Sequence, residues 1–263
     1  MIIETLLSKR DQLPLELAII EPEGEAIGII QLKDTSHLGY FYTNDITYIV
    51  DDAYLVTEYL KYRYPTLNIS IFSHSMGTLV SRNYLKKYEK HIEKIVLCGP
   101  PTENKLVDLA LFAGKLTGLF YKDYKPNKIL NRLSVGYYNK GYKTENEWIC
   151  SNLQTVYEYN TDPLCGFTFT TSGFMNLFQL LKSAFIKEDW IPQNSSLPIF
   201  LIAGVDDPVI QGKQKFNELE EFLKEVGYQN IKSKLYKDKR HELLNETNKE
   251  VVYKDVLDFF YAN

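Results

Sequence analysis

Ser73-His74-Ser75-Met76-Gly77 follows the apolar run Ile69-Ser70-Ile71-Phe72 and opens a periodic segment, Met76 to Tyr88, that carries Leu79, Val80, Tyr84 and Leu85. A buried strand, an abrupt turn and an amphipathic helix form the setting in which a serine is lifted above the end of a parallel sheet as a nucleophile. The small-x-Ser-x-small pattern has a steric cause. The turn is so tight that the residues two before and two after the serine pack on one another, so only Gly, Ala or Ser fits. Ser73 stands where Gly is usual, and Gly77 completes the pattern. Ser75 is expected at a strained backbone angle costing roughly 1–3 kcal/mol. Alone, the pattern also fits an ordinary strand-to-helix turn, so its surroundings must decide.

Upstream, Ile2 to Leu7, Leu15 to Ile20 and Ala26 to Leu32 are apolar stretches separated by turn residues and read as strands. Tyr48 to Tyr62 has Ile49, Ala53, Val56 and Leu60 at helical spacing and ends at Tyr64-Pro65. Downstream of the serine helix, Ile95 to Cys98 is a buried strand closed by Gly99-Pro100-Pro101. Pro198 to Gly204 and Ile231 to Tyr236 read as strands, Phe216 to Val226 and Lys249 to Tyr261 as helices. Strands alternating with helices imply a mostly parallel, doubly wound α/β sheet. Between Thr102 and Ser196 the alternation stops. Helical patterns at Lys105 to Phe120 and Gly173 to Ile186, with aromatic loops between, read as a helical cap inserted into the core. The expected division is a core of residues 1–101 and 196–263 and a cap of 102–195; helices packed directly on the sheet are the alternative.

With 263 residues, 44% hydrophobic, the chain can bury the core of one large domain. Thirty basic residues against 34 acidic ones give a net charge of −4, which argues against nucleic acid or an anionic membrane surface as the main partner. Cys98, Cys150 and Cys165 lack metal-ligand spacing and read as reduced thiols, hence a cytoplasmic location. The amino terminus has no basic leader and reads as a first strand rather than a secretion signal. The longest strongly apolar run, Leu109 to Ala113, is far short of the roughly 20 residues a bilayer crossing needs. Abundant Lys, Asn, Ile and Tyr hint at an AT-rich bacterial genome.

A serine hydroxyl needs a histidine to take its proton and a carboxylate to hold that histidine in one tautomer. Of the four histidines, His74 sits beside the serine and would have difficulty folding back onto it, and His91 reads as a helix-terminal charge. His37 lies in an early loop and stays open by position. His241 follows the last strand, at the carboxyl edge where Ser75 also emerges and where open α/β sheets gather ligands. It is the expected base. Gly204-Val205-Asp206-Asp207-Pro208 leaves the same edge; the proline extends Asp207 away from helix, which favours Asp207 over Asp206 as the orienting carboxylate. The order Ser75, Asp207, His241, each just past a strand, is the α/β-hydrolase order of roles.

On His74-Ser75-Met76-Gly77, Asp162 to Phe167, Gly204 to Val209 and Arg240-His241-Glu242, the chain resembles the α/β-hydrolases grouped as monoacylglycerol lipases, lysophospholipases and serine aminopeptidase-like proteins. The similarity runs through nearly the whole chain. It implies an α/β-hydrolase fold with a helical lid, and a serine esterase acting on a small lipid-like ester such as a monoacylglycerol or lysophospholipid. It implies no cofactor or metal, catalytic Ser75, Asp207 and His241, and Leu106, Leu109, Phe112, Phe167 and Phe174 as lid or pocket candidates. One departure stands out. Family members follow the strand matching Ala26 to Leu32 with a loop, a helix and another strand, whereas here Leu32 runs through His37-Leu38-Gly39 almost directly into the next helix. One sheet strand is therefore expected to be missing. The loop that supplies the second oxyanion N–H is also lost, leaving the Met76 N–H as the matched donor, with Ser36 to Gly39 a conjectural substitute. Losing one such donor costs about 10²–10³ in rate. The alternative to an esterase is accordingly a catalytically impaired hydrolase-fold protein that binds a lipid or a partner. An aminopeptidase is a third option, without a recognisable acidic site for a substrate amine.

Overall fold

The structure, a computed structural model, describes residues 19–20, 26–27, 38–41, 43–121 and 125–262. Two short strands, β1 (Ile19–Ile20) and β2 (Ala26–Ile27), pair antiparallel. The remainder of the expected amino-terminal strands, and His37, lie outside the described residues. The main sheet has the order β3-β4-β5-β6, from β3 (Ser70–His74), β4 (Lys94–Cys98), β5 (Ile199–Gly204) and β6 (Ile231–Tyr236). All its pairings are parallel, with Ile71 beside Ile95, Ile95 beside Ile199 and Ile199 beside Ile231. Every residue of β4 and β5 is buried, as strands covered on both faces require.

Alternation along these strands divides the core into two layers. Ile95, Leu97, Leu201 and Ala203 face one side, where they join Ile49 and Val50 of α1 (Thr47–Arg63), Leu79 and Leu85 of α2 (Met76–Tyr88), and Phe216, Leu219 and Leu223 of α7 (Lys213–Glu225). Val96, Cys98, Phe200 and Ile202 face the other, against Val252 and Val256 of α8 (Glu250–Tyr261). The fold is α/β, with helices on both faces of a parallel sheet, doubly wound as the sequence pattern implied.

Between β4 and β5 come α3 (Val107–Gly118), α4 (Lys128–Leu133), α5 (Leu153–Thr161) and α6 (Thr171–Ala184), with no strand of the main sheet among the described residues. Asn127, Asn152 and Thr170 cap the last three, their side-chain oxygens accepting from Leu130, Gln154 and Gly173 N–H groups. This insertion is not confined to the periphery. Leu180 and Ala184 of α6, and Trp190 after it, are buried in the same cluster as Leu79 and Ile95. The segment between β2 and α1 is tied to α6: Gly39 O accepts from the Thr170 N–H (3.1 Å) and hydroxyl (3.0 Å), and Thr43 O from Asn176 Nδ2 (2.6 Å).

Candidate active site

The chain leaves β3 through a turn in which Ser75 adopts φ 52° and ψ −123° as N-cap of α2. A non-glycine residue at positive φ is strained by roughly 1–3 kcal/mol and persists only where its surroundings hold it. Those surroundings are visible. Ser75 N–H donates to Cys98 O at 2.9 Å, and Ser75 O accepts from the Thr78 N–H (2.9 Å) and hydroxyl (2.7 Å). The small-residue requirement is milder than the sequence argument held, since a β-carbon on Gly77 would meet Ser73 Cβ at an ordinary 3.8 Å. Met76 is the first residue of α2, so its N–H is among the donors a helix leaves without an internal partner.

Asp207 lies past β5 and His241 past β6, at the same end of the sheet as Ser75. Both are almost fully buried, at 2% and 3% exposure. His241 Nδ1 donates to Asp207 Oδ2 at 2.9 Å, and Asp207 Oδ1 accepts from Val209 N–H at 2.8 Å, which fixes the carboxylate. Burial disfavours the charged imidazole, but the Asp207 carboxylate, its hydrogen bond and Glu242 outweigh it, so the His241 pKa is raised above 6.5. Asp206, the weaker candidate, is exposed and spends its N–H on Lys239 O.

Two glycines let these segments converge. Gly99, at φ +56°, passes so close to the pair that a β-carbon there would sit 2.9 Å from two atoms of the His241 ring and 3.3 Å from Asp207 Oδ2. A β-carbon on Gly204 would lie 2.1 Å from Lys239 O and 2.3 Å from Arg240 O, so the loop bearing His241 crosses directly over the end of β5.

His74 joins the serine turn to the histidine loop. Its Nε2 donates to His241 O at 3.1 Å, and the two rings lie 4.5 Å apart. Burial, then the neighbouring His241, pull the His74 pKa down. Ser75 thus sits one residue from a side chain in contact with His241; among the described residues its Oγ makes no hydrogen bond. The Asp207 bond on Nδ1 leaves Nε2 of His241 as the basic nitrogen. Catalytic hydrogen bonds of this kind commonly tighten only with substrate present.

His91 differs from the expected helix-terminal charge. Its Nδ1 lies 3.0 Å from Lys61 Nζ, and burial followed by Lys61 lowers its pKa, so it accepts from the lysine as a neutral ring. Of the lid or pocket candidates, Phe174 is core, packed with Leu130 and Phe178, whereas Leu109 and Phe112 are exposed on α3 and Leu106 is exposed at its N-cap. Phe167 is half-buried against Phe169. Sequence reasoning passed over two residues at the site. Gly99 had a signal, a glycine ending a buried strand; Trp148, whose ring lies 5.3 Å from that of His241, had none. Among the described residues no group of His, Cys, Asp or Glu is arranged to hold a metal ion, and no helix is long and apolar enough to cross a membrane.

Residues 36–248 match the family described as serine aminopeptidase, S33. No curated protein matches the chain. Among solved structures it is similar to a highly thermostable carboxyl esterase from Bacillus coagulans in complex with glycerol, with 24% identity, 82% of this chain and 71% of that one covered, and a TM-score of 0.73. A lipase in its open form has 19% identity, 85% and 78% coverage and a TM-score of 0.72. A monoacylglycerol lipase from Paleococcus ferrophilus has 18% identity, 81% and 74% coverage and a TM-score of 0.55. Likeness at these identities carries the fold alone.

Proposed function

The chain belongs to the serine aminopeptidase S33 family of α/β-hydrolases, and from that premise we propose that it hydrolyses a carboxylic ester of a small lipid-like substrate through an acyl-enzyme on Ser75. The observation that carries this reading is the buried 2.9 Å bond from His241 Nδ1 to Asp207, at the sheet edge where Ser75 holds its strained turn. Ser75 Oγ passes its proton to His241 Nε2 and attacks the acyl carbon. The Met76 N–H stabilises the oxyanion. The imidazolium, held by Asp207, returns the proton to the departing alkoxide, and the C–O bond breaks. Water, deprotonated by the same nitrogen, then releases the acid and restores the serine.

A carboxyl esterase and a monoacylglycerol lipase among the similar structures support an ester as substrate class. The test is labelling by a fluorophosphonate together with hydrolysis of p-nitrophenyl esters and monoacylglycerols of graded chain length. Wild type is expected to label and turn over, and Ser75→Ala to do neither. A folded wild type that stays unlabelled would defeat the proposal. One observation favours a second reading, a binding protein of impaired turnover: the short segment between β2 and α1 has no residue matching the second oxyanion donor. That reading predicts a rise in melting temperature with a fatty acid or monoacylglycerol and no Ser75-dependent hydrolysis.

A further inference from the structure

His241 sits on a loop between β6 and α8, and among the described residues its ring has a single side-chain hydrogen bond, to Asp207, about which it could still swivel. What restrains it comes largely from the insertion. The segment 147–151 lies against residues 240–246 with a regular correspondence. Glu147 O (2.5 Å) and Cys150 O (2.9 Å) accept from Arg240 Nη1, and Ile149 O accepts from Glu242 N–H at 2.7 Å. Glu246, 2% exposed, closes the arrangement: its Oε1 accepts from the N–H groups of Ser151 (2.9 Å) and Arg240 (2.8 Å), and its Oε2 from the Ser151 hydroxyl. The Arg240 guanidinium also covers the Tyr142 ring at 4.7 Å. The residues on both sides of His241 are thus fastened to residues on both sides of Trp148, and the two rings meet at the centre, 5.3 Å apart and tilted by 41°. The indole is 6% exposed, and its Nε1 has no hydrogen-bond partner among the described residues. It is held by the backbone clasp on either side and by packing with Val156, Val209 and the Tyr138 ring 5.1 Å away, not by a hydrogen bond of its own.

We propose that Trp148 is a positioning residue for His241, pressed onto the imidazole by the Arg240 and Glu246 clasp, so that the insertion governs the orientation of the catalytic base. The inference rests on the hydrolase reading above. With the His74 ring at 4.5 Å, the indole adds a second ring packed against the imidazole, which restricts rotation about the Asp207 bond and keeps water from it. Misplacing a proton acceptor by about 1 Å costs on the order of 10² in rate.

The test compares wild type with Trp148→Ala, Trp148→Phe and Arg240→Gln, using p-nitrophenyl butyrate turnover and the low-field proton resonance of the Asp207–His241 hydrogen bond. Trp148→Ala and Arg240→Gln are expected to lower kcat by about 10²-fold with little change in KM, and to broaden that resonance through exchange with water. Trp148→Phe is expected to restore both, because a smaller flat ring still covers the imidazole. A resonance and kcat unchanged in Trp148→Ala, or a loss confined to KM, would overturn the proposal. If Trp148→Ala does not fold, Trp148→Leu and Arg240→Gln carry the same comparison. Absence of Ser75-dependent turnover in wild type would instead defeat the hydrolase reading, while the resonance would still report whether Trp148 and Arg240 hold the ring.

Discussion

In the proposed reaction, with Nδ1 of His241 committed to Asp207, a proton leaving Ser75 has one ring nitrogen to go to, and that nitrogen must be unprotonated. Because the carboxylate raises the His241 pKa, the acid limb of kcat/KM is expected above pH 6.5 in a pH–rate profile. Asp207→Asn should lower kcat by about 10⁴, chiefly by allowing the wrong tautomer, and steady-state kinetics measures this directly. His74 titrates in the opposite sense. Its folded pKa lies below its unfolded value, so stability is lost as pH falls through 6.5 toward the folded pKa. His74→Gln, which can still donate to His241 O, should therefore flatten the decline of melting temperature between pH 7.5 and 5. At Gly99, an added methyl group would press on the His241 ring and force a side chain into positive φ. Gly99→Ala is expected to destabilise by roughly 1–3 kcal/mol in urea titration and to cost activity as well.

At the scale of elements, the site depends on how α2 is anchored at both ends. At its start, Thr78 ties the strained serine carbonyl; midway, the wholly buried Arg82 donates to Pro101 O (2.7 Å) and Thr78 O (3.2 Å) and lies over the Phe185 ring at 5.0 Å. Past its end, the buried Glu89 accepts from Tyr228 OH at 2.5 Å, from Asn194 N–H at 2.6 Å and from Gln193 N–H, joining the helix that follows Ser75 to the approaches of β5 and β6. Burial and Glu89 push the Tyr228 pKa well up, so the residue stays a phenol that donates to Glu89. Glu89→Ala would strand the buried Tyr228 hydroxyl and leave the part-buried N–H groups of Gln193 and Asn194 without their acceptor. It should cost about 3 kcal/mol, read as a lowered denaturation midpoint, with kcat little changed at temperatures where the protein stays folded.

Over the whole molecule, the insertion shares the sheet's core through Leu180, Ala184 and Trp190, and clasps the histidine loop through Arg240 and Glu246. A detachable lid would do neither. Calorimetry is expected to give one thermal transition with matching calorimetric and van't Hoff enthalpies. Replacing residues 102–195 by a short linker should abolish cooperative melting rather than leave a stable, open hydrolase.

The strands and helices of the sheet core were legible because their periods, two and 3.6, are local properties written into side-chain order. β6 and α2 were predicted to the residue, and the order Ser75, Asp207, His241 suggested a shared sheet edge from topology alone. Such contacts as Trp148 on His241, Glu89 bridging distant loops and α6 completing the core left no local trace, and the glycine ending β4 marked a turn without showing that His241 would pack on it. They join residues far apart in the chain, and which ones meet depends on shape and burial after the layers pack. Sequence by itself determined the α/β class and the candidate chemistry; only tertiary packing decided what holds the histidine, because its restraints belong to a surface made when the insertion and the sheet come together.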